Sequence, residues 1–499
     1  MQQFTKRKAS GSRRDEKDRK KVLSVPAMNE LTSEILMQRV RAEVIIRIHE
    51  KSVSLPPPKT KPLHNVRKPR VFLWGALGKV VDIVRNIMRE FTKRKASGSS
   101  RDEKDRKKIL SVSTYPIYPP KGGGQSRVFY LCRELSKVFD VHVICLVDGA
   151  ESATIHQISD SFSVEYVPAN KAFRKRDREL YRRSGIPTTD VVMVDYYEEA
   201  SSFIKTIRSA ITKADVLIAE QSYVYPLLLK YSFKNQILIY NSQNVELTLK
   251  KQMFCKSPMV DMVCAWVEKA ESKACRDADL IVYCSAEDKV NMEHIYPQIS
   301  CGTSTIIENC AASETISYLS SSERRKIKDR VYPNGSIGLF VASWHQPNID
   351  AVRDLSIIAS QTPEILYIVV GSVSAYFDQS GDVISGNIIF TGMVSDDEKD
   401  LFLQLADFAV NPMSTGSGTN IKMFDYLAAG LPLISTEVGM RGIEAPKGFV
   451  SISTLDNFPS TIKSILNEER NIQKRLFIQG RYDWRAVGFE YIDAIQRLL

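Results

Sequence analysis

The chain has 499 residues, 43% of them hydrophobic, and a net charge of +11. That length implies two or three domains with sizeable cores. The best apolar stretch, Val71 to Met88, is broken by Lys79, Asp82 and Arg85, and the first residues, MQQFTKRKASGSRRDEKDRKK, carry charge with no apolar segment behind them, so neither a transmembrane helix nor a signal peptide is expected. The eight cysteines form no C-x-x-C pair and the six histidines have no ligand spacing, which reads as buried reduced thiols in a cytoplasmic protein with no metal site.

Residues 1–110 hold 29 Lys and Arg against 12 Asp and Glu, a net of +17, which leaves −6 for residues 111–499. Residues 4–25 and 91–112 are a repeat that differs only at Arg13/Ser100 and Val22/Ile109, and the offset aligns Met88 with Met1. A single near-identical copy reads as a duplicated segment rather than a solenoid. The core is therefore expected to begin near Met88, with residues 1–87 an added piece. Inside that piece Leu31, Ile35, Val40, Val44 and Ile48 have helical spacing, Pro56 to Pro58 form a stiff linker, and Val71 to Arg89 reads as a second helix. Residues 1–108 are thus expected to be a basic extension, partly helical and partly disordered. Its charge suits peripheral contact with an anionic membrane at the inner face. Its few aromatic residues do not alternate with the basic ones, so no nucleic acid is expected.

From residue 109 strands and helices alternate. The strands are expected at Ile109–Ser113, Val141–Leu146, Val164–Val167, Val216–Ala219, Gln236–Tyr240, Leu280–Cys284 and Thr305–Ile307. A second series is expected at Ile337–Val341, Leu366–Val370, Ile388–Phe390, Phe408–Val410 and Leu433–Ser435. Helical stretches between them include Ser126–Val138, Met259–Arg276, Asn348–Ser360 and Glu398–Leu405. This pattern predicts an α/β protein of two tandem doubly wound Rossmann-like domains with parallel sheets, at 109–320 and 335–480. The boundary falls in the polar, Ser-rich stretch Ser313–Gly335.

Two glycine-rich segments sit where such folds bind ligands. Gly122, Gly123 and Gly124 follow the first strand and precede a helix expected from Gln125. Residues 416–436 read GSGTNIKMFDYLAAGLPLIST: a glycine turn, a helix carrying Asp425 about two turns along, and a buried strand. A glycine turn before a helix offers free N–H groups to a phosphate or diphosphate, and a carboxylate on that helix suits a ribose diol. The plainer reading of both is a structural turn.

These residues resemble the GT-B glycosyltransferases, and most closely the family-4 group (glycosyl transferases group 1), over Ile109 to Leu499. The resemblance lies in Leu339-Phe340-Val341-Ala342-Ser343-Trp344 with Pro347-Asn348-Ile349-Asp350-Ala351, in Phe390-Thr391-Gly392-Met393-Val394, in Ala406-Asp407, and above all in Gly416 to Pro432. Asn241 to Glu246 is similar to the H/Q-N-x-E segment of the group, and Gly480 to Trp484 to the start of its last helix, which implies that 481–499 pack back toward the N-terminal domain. What the resemblance implies is a hexosyltransferase-like enzyme of polysaccharide biosynthesis. It would need no cofactor and would move a sugar from a nucleotide-diphosphate donor to a glycan, lipid-linked or small acceptor. An epimerase or an inactive nucleotide-binding scaffold on the same fold is the alternative.

Carried over residue by residue, the donor would be held by Gly416, Ser417, Gly418, Thr419, Asn420, Lys422, Asp425, Arg441 and Ser343. Gly122, Gly123, Gly124, Gln221, Asn244 and Glu246 would line the acceptor side. The loop Ser343 to Asn348 lacks the Arg and Lys usual in the family, and Lys422, one turn into the helix, and Arg441 are substitutes. Ser417 and Asp425 stand where many members have two Glu residues, and Glu220-Gln221-Ser222 where they have a His. If a carboxylate base acts on the acceptor, it is Glu220 or Glu246; the sequence does not choose.

Overall fold

The structure, a computed structural model, describes residues 106–499 except 151, 298–302, 333–334 and 417. The first copy of the repeat, residues 91–105 of the second and the two helical patterns before residue 90 lie outside the described residues. Eight strands form the first sheet: β1 Lys108–Ser113, β2 Asp140–Val147, β3 Thr154–Ser159, β4 Phe162–Pro168, β5 Val216–Ala219, β6 Ile237–Asn241, β7 Leu280–Tyr283 and β8 Thr303–Ile306. Their order is β3-β4-β2-β1-β5-β6-β7-β8. The second sheet holds β9 Ser336–Val341, β10 Ile365–Val370, β11 Ile388–Gly392, β12 Phe408–Asn411, β13 Leu433–Ser435 and β14 Ser451–Ile452, in the order β11-β10-β9-β12-β13-β14.

The helices of the first half are α1 Gly123–Leu135, α2 Lys171–Ser184, α3 Thr189–Tyr196, α4 Ser201–Ile211, α5 Tyr225–Tyr231, α6 Glu246–Met253, α7 Val260–Asp277 and α8 Ala286–Ile295. Those of the second are α9 Ser321–Val331, α10 Gln346–Ser360, α11 Ser374–Ser380, α12 Asp396–Leu405, α13 Lys422–Ala428, α14 Phe458–Ile465, α15 Ile472–Arg481 and α16 Trp484–Gln496. Central strands such as β5 (VLIA) and β10 (ILYIVV) are buried along their whole length, because helices cover both faces.

In each sheet the strand order reverses at one strand. β1 lies between β2 and β5, and β9 between β10 and β12. Loops leaving a strand at such a reversal diverge to opposite faces and leave a crevice at the carboxyl edge. The Gly122–Gly124 segment leaves β1 there, and the Ser343 loop leaves β9.

Two features differ from the sequence reading. The first sheet is not wholly parallel: β3 pairs antiparallel with β4 at the edge. Its sequence, TIHQIS, lies largely in solvent and lacks the apolar run that marks a buried strand. The polar stretch Ser313–Gly335 is not a bare linker but contains α9. A capping box of Ser320 and Glu323 starts this helix. Arg324 and Lys328 then anchor it to Asp407 at 2.7 and 3.2 Å, just before β12.

The chain crosses between the halves twice, side by side. The Ala311 N–H donates to the Tyr482 carbonyl at 2.8 Å, and the Trp484 N–H to the Ala311 carbonyl at 3.2 Å. Asp483 is buried between them. Burial alone would raise its pKa, but hydrogen bonds from Arg485 and Ser313 outweigh that and hold it below the ordinary carboxylate range. Helix α16 then lies on α1. Trp484 stacks on Tyr130 with centroids 6.1 Å apart, and a Cβ on Gly488 would sit 2.6 Å from the Glu134 Cβ. Close approach at Gly488 therefore requires glycine.

Trp484 is 1% exposed, so Trp484→Ala should remove about 3–5 kcal/mol of stability in urea denaturation. A loss under about 1 kcal/mol would show that the α1–α16 contact contributes little.

Candidate functional site

Gly416 and Gly418 have φ of 129° and 70°, a region L side chains rarely adopt, so the turn after β12 requires both glycines. Side chains of the next loop pin it. The Arg441 Nε donates to the Gly418 carbonyl at 2.9 Å, and the Asn420 Nδ2 donates to the Gly439 carbonyl at 3.0 Å. Thr419 packs on Gly442, where a Cβ would lie 2.7 Å from its Oγ1. Ser417 lies outside the described residues.

Helix α13 begins at Lys422, later than the glycine turn implied. Asp425 is therefore in the first turn rather than two turns along, and Lys422 is the first residue. The intervening residues turn through i→i+3 bonds, from Met423 N to Asn420 O and from Phe424 N to Ile421 O, which leave no room for a helical turn before Lys422.

The Lys422 Nζ donates to the Asn348 Oδ1 at 2.7 Å and sits 4.4 Å from the centre of the Phe340 ring. Asn348 in turn donates to the Ser343 carbonyl and hydroxyl at 2.9 and 3.1 Å. Among the described residues Lys422 has no carboxylate partner, and burial brings its pKa down to about 7. A cation from α13 thus reaches the loop after β9, which has no Arg or Lys of its own. His345, at the N-cap of α10, is nearby; the surrounding protein and then the Lys422 charge hold its pKa below the ordinary value. Burial also lowers the Arg441 pKa, opposed by Glu287 and Asp288 at the start of α8 in the other half. Asp425 accepts from the Lys399 Nζ of α12 at 3.0 Å, and this carboxylate is the largest cause of a raised Lys399 pKa.

On the facing side Gly122 is the N-cap of α1, so Gly123 and Gly124 are the helix's first residues and not a loop ahead of a helix from Gln125. A Cβ on Gly123 would lie 2.8 Å from the Ile421 Cδ1 across the cleft, and one on Gly124 would lie 2.7 Å from the Gln243 Oε1. Asn244 faces the glycine turn, its Oδ1 3.5 Å from where a Gly418 Cβ would be. The Tyr115 hydroxyl donates to the Gln243 Oε1 at 2.8 Å, and the Gln221 Oε1 accepts from the Thr114 hydroxyl at 2.7 Å.

Glu246 does not line this cleft. Both it and Glu220 are 1% exposed, sealed beneath the carboxyl edge of the sheet. Glu220 accepts from Ser111 at 2.6 Å and Asn241 at 2.7 Å; burial raises its pKa to about 7 against those donors. Glu246 accepts from the Tyr223 hydroxyl, its Oε1 has no hydrogen-bond partner among the described residues, and burial raises it to about 7 as well. Both carboxylates are thus almost without exposed surface in this geometry.

Sequence reasoning missed Lys399, the Lys422–Asn348 contact and His345, because each is a tertiary meeting of ordinary polar residues. A cavity of about 1050 Å³ flanks the first sheet between β4 and α4 and does not include the glycine turn. Of the cysteines, Cys132, Cys145, Cys275, Cys284 and Cys310 are buried, and all the described ones are free thiols.

Residues 336–467 match the family model for glycosyl transferases group 1. No curated protein sequence matches the chain. Among solved structures, sucrose-phosphate synthase from Thermosynechococcus elongatus superposes with a TM-score of 0.62 at 14% identity, over 79% of this chain and 99% of that one. HepE from Anabaena in complex with UDP and glucose gives 0.55 at 13%, over 78% and 100%. A UDP-forming trehalose-phosphate synthase from Burkholderia xenovorans in complex with glucose-6-phosphate gives 0.54 at 9%, over 78% and 100%. At these identities the likeness is one of architecture. Fold and family match agree on a protein of GT-B architecture, related to the glycosyl transferases group 1 through residues 336–467.

Proposed function

We propose that the protein is a glycosyltransferase that takes a sugar from a nucleotide-diphosphate donor, with UDP as carrier, and passes it to a glycan, lipid-linked or small acceptor. The observation that carries this reading is a pair of cations, Lys422 and Arg441, at a glycine turn on the carboxyl edge of the second sheet, neither in an ion pair among the described residues. Breaking a sugar–diphosphate bond builds negative charge on the leaving group. Donors and cations fixed in advance stabilise that charge, and removing one typically costs about 3–4 kcal/mol of the barrier. In this reading Lys422 and Arg441 take the diphosphate with the N–H groups of Gly418 and Thr419. Asp425 exchanges part of its contact with Lys399 for the ribose hydroxyls. Gly123, Gly124 and Asn244 bound the acceptor side. UDP is the favoured carrier because HepE is seen with UDP and the trehalose-phosphate synthase is UDP-forming.

Incubation with a panel of nucleotide sugars, following free nucleoside diphosphate, tests the proposal. UDP release that depends on an acceptor is expected. Binding without release would favour an inactive scaffold, and an epimerised sugar would favour an epimerase.

The Lys422 pKa gives a pH signature. Below about 7 the ammonium is already charged when the diphosphate arrives; above it, binding must be accompanied by proton uptake. UDP affinity should therefore fall as pH rises above 7, by up to about tenfold per unit. His345 titrates below its ordinary value of 6.5 and has already lost its charge there. Lys422→Arg, which stays charged, should flatten this dependence in calorimetric titrations; an equal fall in both proteins would exclude Lys422 as the diphosphate cation.

The Gly123–Ile421 contact gives a second. Gly123→Val should press on Ile421 across the cleft and lower kcat/KM by about tenfold or more, the sensitivity of positioned sites to small displacements, with little change in melting temperature. Adding Ile421→Ala should restore much of the loss. Normal turnover in Gly123→Val would mean that the cleft does not work in this closed geometry.

A further inference from the structure

Helix α2 stands apart from the chain around it. Seven of its 14 residues are Lys or Arg and two are acidic. Residues 111–499 together carry a net −6, so outside α2 that part of the chain is at −11 and the helix alone is at +5. The cations are not scattered. Phe173 and Leu180 are buried and fix the inward face. At 3.6 residues per turn, Lys171, Lys175, Arg178 and Arg182 fall opposite them, within an arc of about 60° and along roughly 16 Å of helix. All four are exposed.

The acidic residues do not neutralise this row. Asp177 accepts from the Thr188 and Thr189 hydroxyls at 2.6 and 2.7 Å. Glu179 is shared between Arg176 at 3.2 Å and Lys175 at 4.0 Å. Lys171, Arg178 and Arg182 have no carboxylate partner among the described residues. Tyr181, 51% exposed, flanks the row. Helix α2 leaves the carboxyl end of β4, the same edge of the sheet from which the Gly122–Gly124 segment leaves β1. Lys171 and Arg174 also border, with Lys205 of α4, the open groove of about 1050 Å³.

We propose that α2 is a docking surface for an anionic lipid bilayer, with Lys171, Lys175, Arg178 and Arg182 on the headgroups and the helix axis in the membrane plane. A straight row of four cations directly opposite the buried face, three of them without a carboxylate partner among the described residues, meets a flat anionic surface along its whole length. An aromatic side chain at its margin suits the headgroup boundary. Outside α2, residues 111–499 carry a net −11 and are repelled by the same surface, so within this part of the chain α2 is the side that turns toward it. That orientation brings the carboxyl edge of the first sheet, with its cleft, toward the bilayer. A nucleic acid is the less favoured partner, because one aromatic residue beside a single row gives no alternating stacking platform. None of this depends on the sugar chemistry proposed above.

The test is sedimentation of the full-length protein with vesicles of phosphatidylglycerol and phosphatidylcholine, against phosphatidylcholine alone, at low and high salt. The comparison is with Lys175→Glu/Arg178→Glu/Arg182→Glu, and with a control that reverses three exposed lysines elsewhere, Lys234→Glu/Lys447→Glu/Lys463→Glu. The α2 variant should bind anionic vesicles at least about tenfold more weakly, and the control should differ by less than about twofold. If the reversed helix does not fold, Arg178→Gln/Arg182→Gln should still show a salt-sensitive weakening. Wild-type binding by both α2 variants, or equal loss in the control, overturns the proposal. So does a wild-type preference for a single-stranded RNA over anionic vesicles that the α2 variant loses.

Discussion

Two strands, β1 and β9, lie where the order of their sheets reverses, and the cleft follows from that constraint. A parallel strand at a reversal sends its outgoing loop to one face while its neighbour's loop goes to the other, so the backbone cannot close over the gap. The chain fills that gap in the two halves differently. After β1 it starts a helix on glycines, which lets α1 begin almost in contact with the opposite half. After β9 it places a loop of Ser, Trp, His and Gln with no lasting charge at neutral pH, and takes its cation from a helix three strands later.

That borrowed cation is costly as it stands. A buried ammonium without a carboxylate loses hydration that one amide oxygen and one aromatic face only partly replace. Nearby, the chain shows the cheaper arrangement: Lys399 has Asp425 at 3.0 Å and stays firmly charged. The contrast between two lysines beside the same helix sets the site's polarity. One is satisfied by a carboxylate of the protein, and the other has none among the described residues.

Much of the fold was legible because buried parallel strands announce themselves as short runs of β-branched and aliphatic residues; Val216–Ala219 and Leu433–Ser435 came out residue for residue. Strand β3 was not, since an edge strand facing water has no such run, and α9 was hidden because a polar helix held by ion pairs to Asp407 looks like a linker. Motif residues were found, but their surroundings were not. The family resemblance placed Gly416, Lys422 and Arg441 near one another. It could not say that α13 starts late, that Lys399 occupies Asp425, or that Glu220 and Glu246 point under the sheet into polar networks. Those outcomes depend on which side chains meet across the fold, and a single sequence carries no such pairing.

The paired crossings at Ala311 and Tyr482–Trp484 have a mechanical consequence. Two chain segments joined by backbone hydrogen bonds form a strip rather than two separate tethers, and a buried Asp483 locks that strip to Ser313. A strip resists shear and stretching but can bend about its own line. Swinging the two halves about that line, like the covers of a book, would keep these bonds, whereas sliding them past one another would break them. Because α16 runs on from this spine to lie against α1, the spine and the first glycines of the cleft turn as one piece, and the angle of opening is the motion left to the ligand.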